Sequence, residues 1–268
     1  MLCHTPMRRI VTLLSDFGTR DHYVAAMKGV LLGINPALIL VDITHEVTPH
    51  NVREAGFLLA AAFNVFPAGT IHLAVVDPGV GGERRALAAA GARHLFVGPD
   101  NGIFDRAFAL EPPRVVVLLE NPDYRRPQVS PTFHGRDIFA PAAGHLSLGV
   151  PLEKLGPVVS ERIQAAAPPR LGKGDRVEGE IIHVDRFGNL IADIEIPADE
   201  GLESDLEVSL GSRRMLVGPR TYNEAPPGEP FAMRGSSGHL EVAVREGSAL
   251  EVLGQGVGTP VCVHRRKR

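Results

Sequence analysis

Cysteine is nearly absent from this sequence, since Cys3 and Cys262 are the only two among 268 residues. Two cysteines are too few for a disulfide framework or for a zinc site built on thiolates, and they fit a reducing compartment. Long apolar runs are missing too: no stretch approaches the roughly 18 apolar residues of a membrane span. The N-terminal residues lack the apolar core and cleavage site of a secretory signal. We therefore expect a cytoplasmic protein with no membrane partner.

An excess of positive charge is also lacking, because the formal net charge is −3. Such a balance gives the whole molecule no attraction to nucleic acid, so we predict no nucleic-acid partner. With 44% hydrophobic and 22% charged residues, the composition is that of an ordinary globular protein. The length accommodates one large or two medium domains.

Several nucleotide- and metal-binding motifs are absent. Neither G-x-G-x-x-G nor G-x-x-x-x-G-K-[ST] follows the first strand-like run, which argues against dinucleotide-binding and P-loop chemistry. The histidines form neither H-x-x-x-H nor H-E-x-x-H, and His45-Glu46 followed by His50 has the wrong spacing for a metalloprotease. We therefore predict no metal site.

The N-terminal half alternates strand-like and helix-like segments. Apolar and β-branched runs predict strands at Arg9 to Leu14, Leu38 to Ile43 and Ile71 to Val76. Apolar residues at helical spacing predict helices at His22 to Leu32 and Val52 to Phe63, the second preceded by Asn51 and Glu54 at capping-box spacing. This alternation predicts an α/β fold with a mostly parallel sheet.

The C-terminal part has a different pattern. Residues 167–173 lie in a segment rich in Pro, Gly and small residues, which is typical of a linker. Beyond it, Gly and Pro punctuate short β-rich runs, among them Leu240 to Val244 and Leu250 to Leu253. That pattern favours a small antiparallel barrel. We predict an N-terminal α/β domain over 1–166 and a β-barrel-like domain over 174–268.

The stretch from Ile71 to Arg85 is the strongest candidate for a chemical site. An apolar run ends at Asp77, and Pro78 prevents the strand from continuing. A carboxylate is thereby placed at the carboxyl end of a strand, where α/β sheets bind ligands, and Arg84 and Arg85 add positive charge. The residues alone fit equally well an Asp77 that only stabilises a turn and arginines that form a solvated face.

Two further candidates lie in the first domain. Asp16 follows the first predicted strand, where a carboxylate can accept both hydroxyls of a ribose, although an Asx turn ahead of the helix is an equal alternative. His134 stands in a loop after a proline-rich segment and can hold or move a proton near neutral pH. A lone histidine is more often a surface residue.

In the second domain, Asp185 to Asn189 read DRFGN and connect two predicted strands. One hypothesis is that the Asn189 amide binds a base edge and Asp185 binds an ammonium group. The alternative is a plain β-turn. The loop that contains Ser236 leads into the predicted strand Leu240 to Val244. It fits a binding role and a plain hairpin equally well.

Together, seven segments resemble one family in order and approximate spacing: SDFGTRD (15–21), DITHEV (42–47), VVDPGVGGERR (75–85), GPDNG (98–102), FHGRDIFAPAA (133–143), DRFGN (185–189) and SSGHLEVAV (236–244). The chain resembles the S-adenosyl-L-methionine (SAM) hydroxide adenosyltransferases, or SAM hydrolases, which are related to the SAM-dependent fluorinase and chlorinase. The resemblance spans about Arg9 to Val263.

The resemblance implies hydrolysis of SAM to adenosine and L-methionine, by in-line attack of water or hydroxide at C5′ of the ribose. It implies no cofactor, because SAM is the substrate, and a homotrimer whose active site lies between subunits. The catalytic residues that it implies are Asp77, Arg84 and His134. The substrate-binding residues that it implies are Asp16, Asp21, Asp185, Phe187, Asn189, Tyr222 and Ser236.

Two departures from the halogenases bear on the nucleophile. This chain has no tryptophan, whereas the halogenases carry one against the adenosine near the place of His50. Asp77 stands where the fluorinase has a tyrosine, and a carboxylate repels a halide. Both differences favour water. The alternatives are a SAM or adenosine sensor without catalysis and a chloride adenosyltransferase.

Overall fold

The computed structural model describes residues 9–162, 169, 176–197 and 205–266. These belong to two compact units, one within Met1–Ala165 and the other within Ala166–Arg268. The predicted linker, 167–173, lies outside the described residues except for Pro169, and the predicted domain boundaries stay a prediction. Among the described residues, no helix is both long enough and apolar enough to span a membrane.

The first unit is built around a six-stranded sheet with the strand order β2-β1-β3-β5-β4-β6. Four of its strands, β2, β1, β3 and β5, run parallel, while β4 is antiparallel to β5 and β6. The α/β fold with a mostly parallel sheet is therefore confirmed. The elements are β1 Ile10–Ser15, α1 Tyr23–Ile34, β2 Ile39–Thr44, α2 Val52–Ala62, β3 Ile71–Val75, β4 Ala86–Ala90, β5 Leu95–Pro99, α3 Asp105–Leu110, β6 Val115–Leu118 and α4 Ala140–Ser147.

Both faces of this sheet are covered, which explains the continuous apolar runs in its central strands. Successive residues of a strand point to opposite faces, so Leu13 and Leu14 of β1 belong to different apolar clusters. Leu13 packs in the cluster that contains Met27 of α1 and residues of α4. Leu14 packs in the cluster that contains Leu59 of α2 and Phe108 of α3. The parallel strands are thereby held with their carboxyl ends at one edge.

The start of α2 shows the N-cap that the spacing of Asn51 and Glu54 predicts, but the return contact of a capping box goes to Thr48 and not to the Asn51 amide. The Asn51 side chain accepts a hydrogen bond from the Glu54 amide at 3.1 Å. The Glu54 carboxylate in turn accepts one from the Thr48 amide at 2.9 Å. These two contacts fix the loop between β2 and α2 to the first turn of the helix.

Helix α4 is preceded by a π-helical segment, Gly135–Phe139, that runs directly into it. Pro141 lies in the first turn of α4. Single π-helical turns are frequent at functional sites, and His134 immediately precedes this one.

The second unit is a seven-stranded antiparallel sheet, β10-β9-β13-β7-β8-β12-β11. A bridge between Val217 and Ala232 brings its two edges together, so the sheet is nearly a closed barrel, as predicted. The elements are β7 Arg176–Val184, β8 Leu190–Glu195, β9 Leu206–Leu210, β10 Arg213–Leu216, β11 Pro230–Arg234, β12 His239–Val244, α5 Ala249–Leu253 and β13 Pro260–Arg265.

Two predictions in this unit were wrong. The run Leu250 to Leu253 is not a strand but part of helix α5, because the Ser248 side chain caps its N-terminus and Gly254 ends it in the left-handed conformation at φ +62°. Strand β11 was not predicted; it begins with Pro230, a residue that sheets accept at a strand's start.

Candidate active site

Asp77 lies just beyond the end of β3 and is held by Arg84. The Nε of Arg84 donates to Oδ1 at 2.8 Å and to Oδ2 at 3.0 Å, and Nη2 donates to Oδ2 at 2.5 Å. The two side chains are only 5% and 9% exposed, respectively. Such a two-pronged ion pair, shielded from water, fixes the direction of the carboxylate.

The chain returns from Asp77 to Arg84 through consecutive turns, in which Val80 N–H donates to the Asp77 carbonyl and Gly82 N–H to the Gly79 carbonyl. Gly81 adopts φ +77°, and a Cβ there would lie 2.3 Å from the carbonyl oxygen of Pro131. Only glycine satisfies both conditions. The tight loop is therefore what brings Arg84 back against Asp77.

His134 completes the group, because its Nδ1 lies 2.6 Å from Nη2 of Arg84. A guanidinium only donates hydrogen bonds, so Nδ1 accepts and the ring proton resides on Nε2. Burial, and then the neighbouring charge of Arg84, lower the pKa of His134 below its ordinary value. The imidazole is therefore neutral at neutral pH, with an Nε2–H donor.

These contacts decide between the alternatives for this stretch. Asp77 does more than stabilise a turn, since its carboxylate is an ion-pair partner of Arg84. The arginines are not a solvated face: Arg84 also packs over the Phe139 ring at 5.3 Å, and Arg85 donates to the buried Asp100 at 2.8 Å. The structure brings Asp77, Arg84 and His134 together, although 50 residues separate the last two. Their catalytic roles stay a prediction.

A cleft of about 310 Å³ opens above this group, within the size range of small-molecule sites. Its polar lining includes Asp16, His50, Asp77 and His134, while Arg84 is not among its lining residues. Its aromatic wall is formed by Phe17, Tyr23 and Phe133, which pack edge to face or tilted at centroid distances of 5.1 to 6.0 Å. An apolar wall beside convergent polar groups suits a flat, polar organic ligand.

Asp16 faces this cleft. Its Oδ2 accepts a hydrogen bond from the backbone N–H of His50 at 2.9 Å. The local turn amides have other partners, because Phe17 N–H donates to the Ser15 hydroxyl at 3.3 Å and Gly18 N–H to the His45 carbonyl at 2.7 Å. The alternative of an Asx turn at Asp16 is therefore wrong. Asp21, by contrast, is exposed and outside the lining of the cleft.

A hydrogen-bond network behind Asp16, buried at Ser15 and His45 and exposed at Asp42, was not predicted as part of the site. The Ser15 hydroxyl lies 2.7 Å from Nδ1 of His45, and Nε2 of His45 lies 3.0 Å from Asp42, which also accepts from Lys28 at 2.6 Å. Burial acts to raise the pKa of Asp42, but the hydrogen bonds from Lys28 and His45 outweigh it and lower that pKa. The network ties the last residue of β1 to the loop after β2. The DITHEV segment was the available signal.

In the second unit, Asp185 organises the connection between β7 and β8. Its Oδ1 accepts from the backbone N–H groups of Phe187 and Asn189, and its Oδ2 from the Asn189 side chain, each at 2.9 Å. The β-turn alternative therefore describes the local role of Asp185 correctly. The Phe187 side chain projects outward and is 77% exposed.

Tyr222 is held by an acid that was not among the predicted site residues. The Tyr222 hydroxyl donates to Glu241 of β12 at 2.5 Å. Burial, together with the nearby charge of Asp185, raises the pKa of Glu241 against the opposing effect of this hydrogen bond. The sequence signal for Glu241 was the position of this acidic residue inside the apolar run of SSGHLEVAV.

Ser236 is exposed in the turn between β11 and β12.

No group of three or more His, Cys, Asp or Glu side chains among the described residues is arranged to hold a metal ion.

Two family models match the chain. The SAM hydroxide adenosyltransferase N-terminal domain matches residues 11–156, and the C-terminal domain of the same name matches residues 179–262.

Among curated proteins, the chain is 47% identical over 260 residues to the (R)-S-adenosyl-L-methionine hydrolase of Thermus thermophilus, covering 94% of this chain and 98% of that protein. It is 42% identical over 248 residues to the protein of the same name from Salinispora tropica, covering 91% and 93%. It is 28% identical over 268 residues to a fluorinase of Actinoplanes sp., covering 87% and 90%.

Among solved structures, an uncharacterized conserved protein from Thermotoga maritima superimposes with a TM-score of 0.85 at 34% identity, covering 95% of this chain and 100% of that one. A conserved hypothetical protein from Thermus thermophilus gives a TM-score of 0.78 at 45% identity, covering 95% and 99%.

Proposed function

Because the chain belongs to the SAM hydroxide adenosyltransferase family, we propose that it hydrolyses SAM to adenosine and L-methionine. The oxygen of water forms a bond to C5′ of the ribose as the bond from C5′ to sulfur breaks. The electron pair of the broken bond neutralises the sulfonium, so methionine leaves as a thioether. One proton of the water is released. The observation that carries this proposal is the shielded group of Asp77, Arg84 and His134 beside the cleft.

Asp77 accepts a hydrogen bond from the attacking water. Although Arg84 uses both carboxylate oxygens, each oxygen has further acceptor capacity. Water that attacks carbon develops positive charge and becomes acidic, so a weak base such as a carboxylate suffices to take its proton. Holding the water in line with the bond from C5′ to sulfur lowers the entropic part of the barrier, by as much as roughly 7 to 11 kcal/mol in ideal cases.

His134 and Arg84 have separate tasks. Arg84 balances the charge of Asp77 and fixes its orientation, which leaves a nucleophile site already organised before substrate binds. The Nε2–H of His134 donates to the oxygen of the water and orients its lone pair. Neither task needs a charged imidazole.

Substrate recognition follows from the same cleft. Asp16 accepts hydrogen bonds from the ribose hydroxyls, and the aromatic wall packs against the apolar parts of the ligand. Asp21, Asp185, Phe187, Asn189, Tyr222 and Ser236 complete the SAM site in our proposal. We also propose a homotrimer in which the second domain of a neighbouring subunit supplies part of that site. The family resemblance supports both of these points.

The test is incubation of the purified protein with SAM in water enriched in oxygen-18, with and without chloride, followed by chromatography and mass spectrometry. We expect adenosine and methionine in equal amounts, with one heavy oxygen on the 5′ carbon and no dependence on chloride. Asp77→Asn, which keeps the size of the side chain, should abolish most turnover while SAM still binds. Intact SAM that binds would indicate a sensor, and 5′-chloro-5′-deoxyadenosine would indicate a halogenase. Either of these two outcomes would contradict the proposal.

A further inference from the structure

The loop between β2 and α2 contains a strained residue. Asn51 N–H donates to the Thr48 carbonyl at 3.0 Å, which closes a turn with Pro49 and His50 in its centre. His50 adopts φ +68° and, with Glu246, is one of two non-glycine residues with positive φ among those the structure describes. Proline followed by a positive φ is the pattern of a type II turn, whose third position normally favours glycine.

The strained turn directs a donor at the cleft. The plane of the peptide between Pro49 and His50 sets the direction of the His50 N–H, and that N–H meets Oδ2 of Asp16 at 2.9 Å. The two residues are 34 positions apart and belong to different loops. A hydrogen bond from an amide to a carboxylate is charge-assisted and stronger than one between neutral groups.

The turn is braced from both sides, which explains how the strain persists. Glu54 of α2 accepts from the Thr48 amide at 2.9 Å, and Asn51 accepts from the Glu54 amide at 3.1 Å. Sparsely populated backbone conformations survive where the surroundings over-determine them, and they cluster at functional sites. The first helical turn of α2 is such a surrounding.

We propose that the strained backbone of His50 positions the carboxylate of Asp16. His50 therefore acts on the ribose through the Asp16 side chain. Its amide occupies Oδ2, and in the part of the chain that the structure describes no hydrogen bond engages Oδ1. Asp16 is thereby oriented in advance, with one oxygen for the sugar hydroxyls. This inference rests on the proposed function in taking an adenosyl ribose as the ligand of Asp16.

The test compares His50→Gly with His50→Val, since both remove the imidazole and differ in backbone preference. Glycine adopts a positive φ freely, whereas a β-branched residue resists it. Adenosine affinity is measured by calorimetry on the full chain, without turnover. We expect adenosine to bind His50→Val about tenfold more weakly than His50→Gly, on the order of one charge-assisted hydrogen bond. For 2′,3′-dideoxyadenosine, which lacks the hydroxyls, the two variants should bind alike.

The same comparison in an Asp16→Ala background should show no difference between the variants. Equal adenosine affinity of His50→Gly and His50→Val would overturn the proposal, and so would a difference that persists without Asp16 or without the hydroxyls. Thermal unfolding checks that each variant is folded, and His50→Ala replaces His50→Val if the latter is not. Failure of the parent chain to bind adenosine would also contradict the proposed role of His50. A protein that shows the expected pattern yet leaves SAM intact would retain this inference and lose only the proposed function.

Discussion

Nδ1 of His134 lies 2.6 Å from Nη2 of Arg84, and this contact allows only the neutral imidazole that carries its proton on Nε2. A protonated ring would place a second positive charge against the guanidinium and beside a cationic sulfonium. With the imidazole neutral and Asp77 paired to Arg84, the group has no net charge. The site therefore accepts a cationic substrate without repulsion, and its charge state depends on Arg84.

Removing Arg84 should cost both stability and activity. Arg84→Met leaves the shielded Asp77 carboxylate without its partner, and breaking such a pair typically costs about 3–5 kcal/mol. We expect the free energy of unfolding to fall by that order at neutral pH, measured by urea denaturation, and SAM turnover to fall by about 100-fold or more. Arg84→Lys keeps the charge but loses the two-pronged geometry, so its free energy of unfolding should lie between those of the parent and Arg84→Met. An Arg84→Met protein as stable as the parent would contradict this account of the pair.

Turnover should have an acidic limb governed by His134. Burial and Arg84 lower the pKa of this imidazole below its ordinary value of 6.5, so the neutral, active form persists to a pH below that value. As pH falls through the lowered pKa, the ring gains a proton, the contact with Arg84 breaks and kcat decreases. His134→Asn, which does not titrate there, should show a lower kcat without this limb. A parent profile whose acidic midpoint lies above 6.5 would contradict the assignment.

His72 should make the fold sensitive to acid. Its ring is fully buried, its Nδ1 contacts the Thr12 hydroxyl at 2.8 Å, and burial, followed by His94, lowers its pKa from 6.5 to about 3. Below pH 6.5 the His72 imidazole binds a proton in the unfolded chain but not in the folded chain. The folded state therefore loses stability as pH falls toward about 3. The slope contributed is about 1.4 kcal/mol per pH unit.

The matching variant is His72→Phe, which removes the titrating group and keeps an aromatic ring beside Phe63, Phe96 and His94. Urea denaturation across this pH range should show a shallower loss of stability for His72→Phe than for the parent. The exposed His22→Phe serves as the control and should keep the parent slope. If His72→Phe also keeps that slope, His72 is not the group responsible.

Gly81→Ala should disturb the loop that carries Arg84. The new Cβ would lie 2.3 Å from the carbonyl of Pro131 and would impose φ +77° on an L-residue, which alone costs about 1–2 kcal/mol. We expect a lowered melting temperature and reduced SAM turnover, because the segment between Asp77 and Arg84 must shift. Gly149→Ala is the control: its φ is +88° but no atom lies within 4 Å of the added Cβ. It should lose stability alone, and equal turnover in both variants would contradict the steric argument.

The sequence by itself determined what depends on near neighbours. Apolar periodicity placed the alternating strands and helices of the first unit, and the spacing of Asn51 and Glu54 placed the start of α2. Proline after Asp77 was enough to locate a carboxylate at a strand end. The same local signals failed at Leu250 to Leu253, because a run of four apolar residues has no distinct period and its caps decided the outcome.

Only the tertiary structure decided which of these residues meet. Arg84 and His134 are 50 positions apart, and Asp16 and His50 are 34 apart, so no local pattern specifies either contact. The contact of Asp16 with His50 arises because the sheet order places β1 beside β2, bringing the loops at their carboxyl ends to one edge. The contact of Arg84 with His134 joins the loop after β3 to the segment that leads into α4. The choice between a site-forming and a turn-stabilising Asp77 was open in the sequence, because the local residues do not show which side chain the carboxylate meets. A side chain's partner is set by packing across the whole fold, whereas its position on a strand or turn is set by the residues beside it.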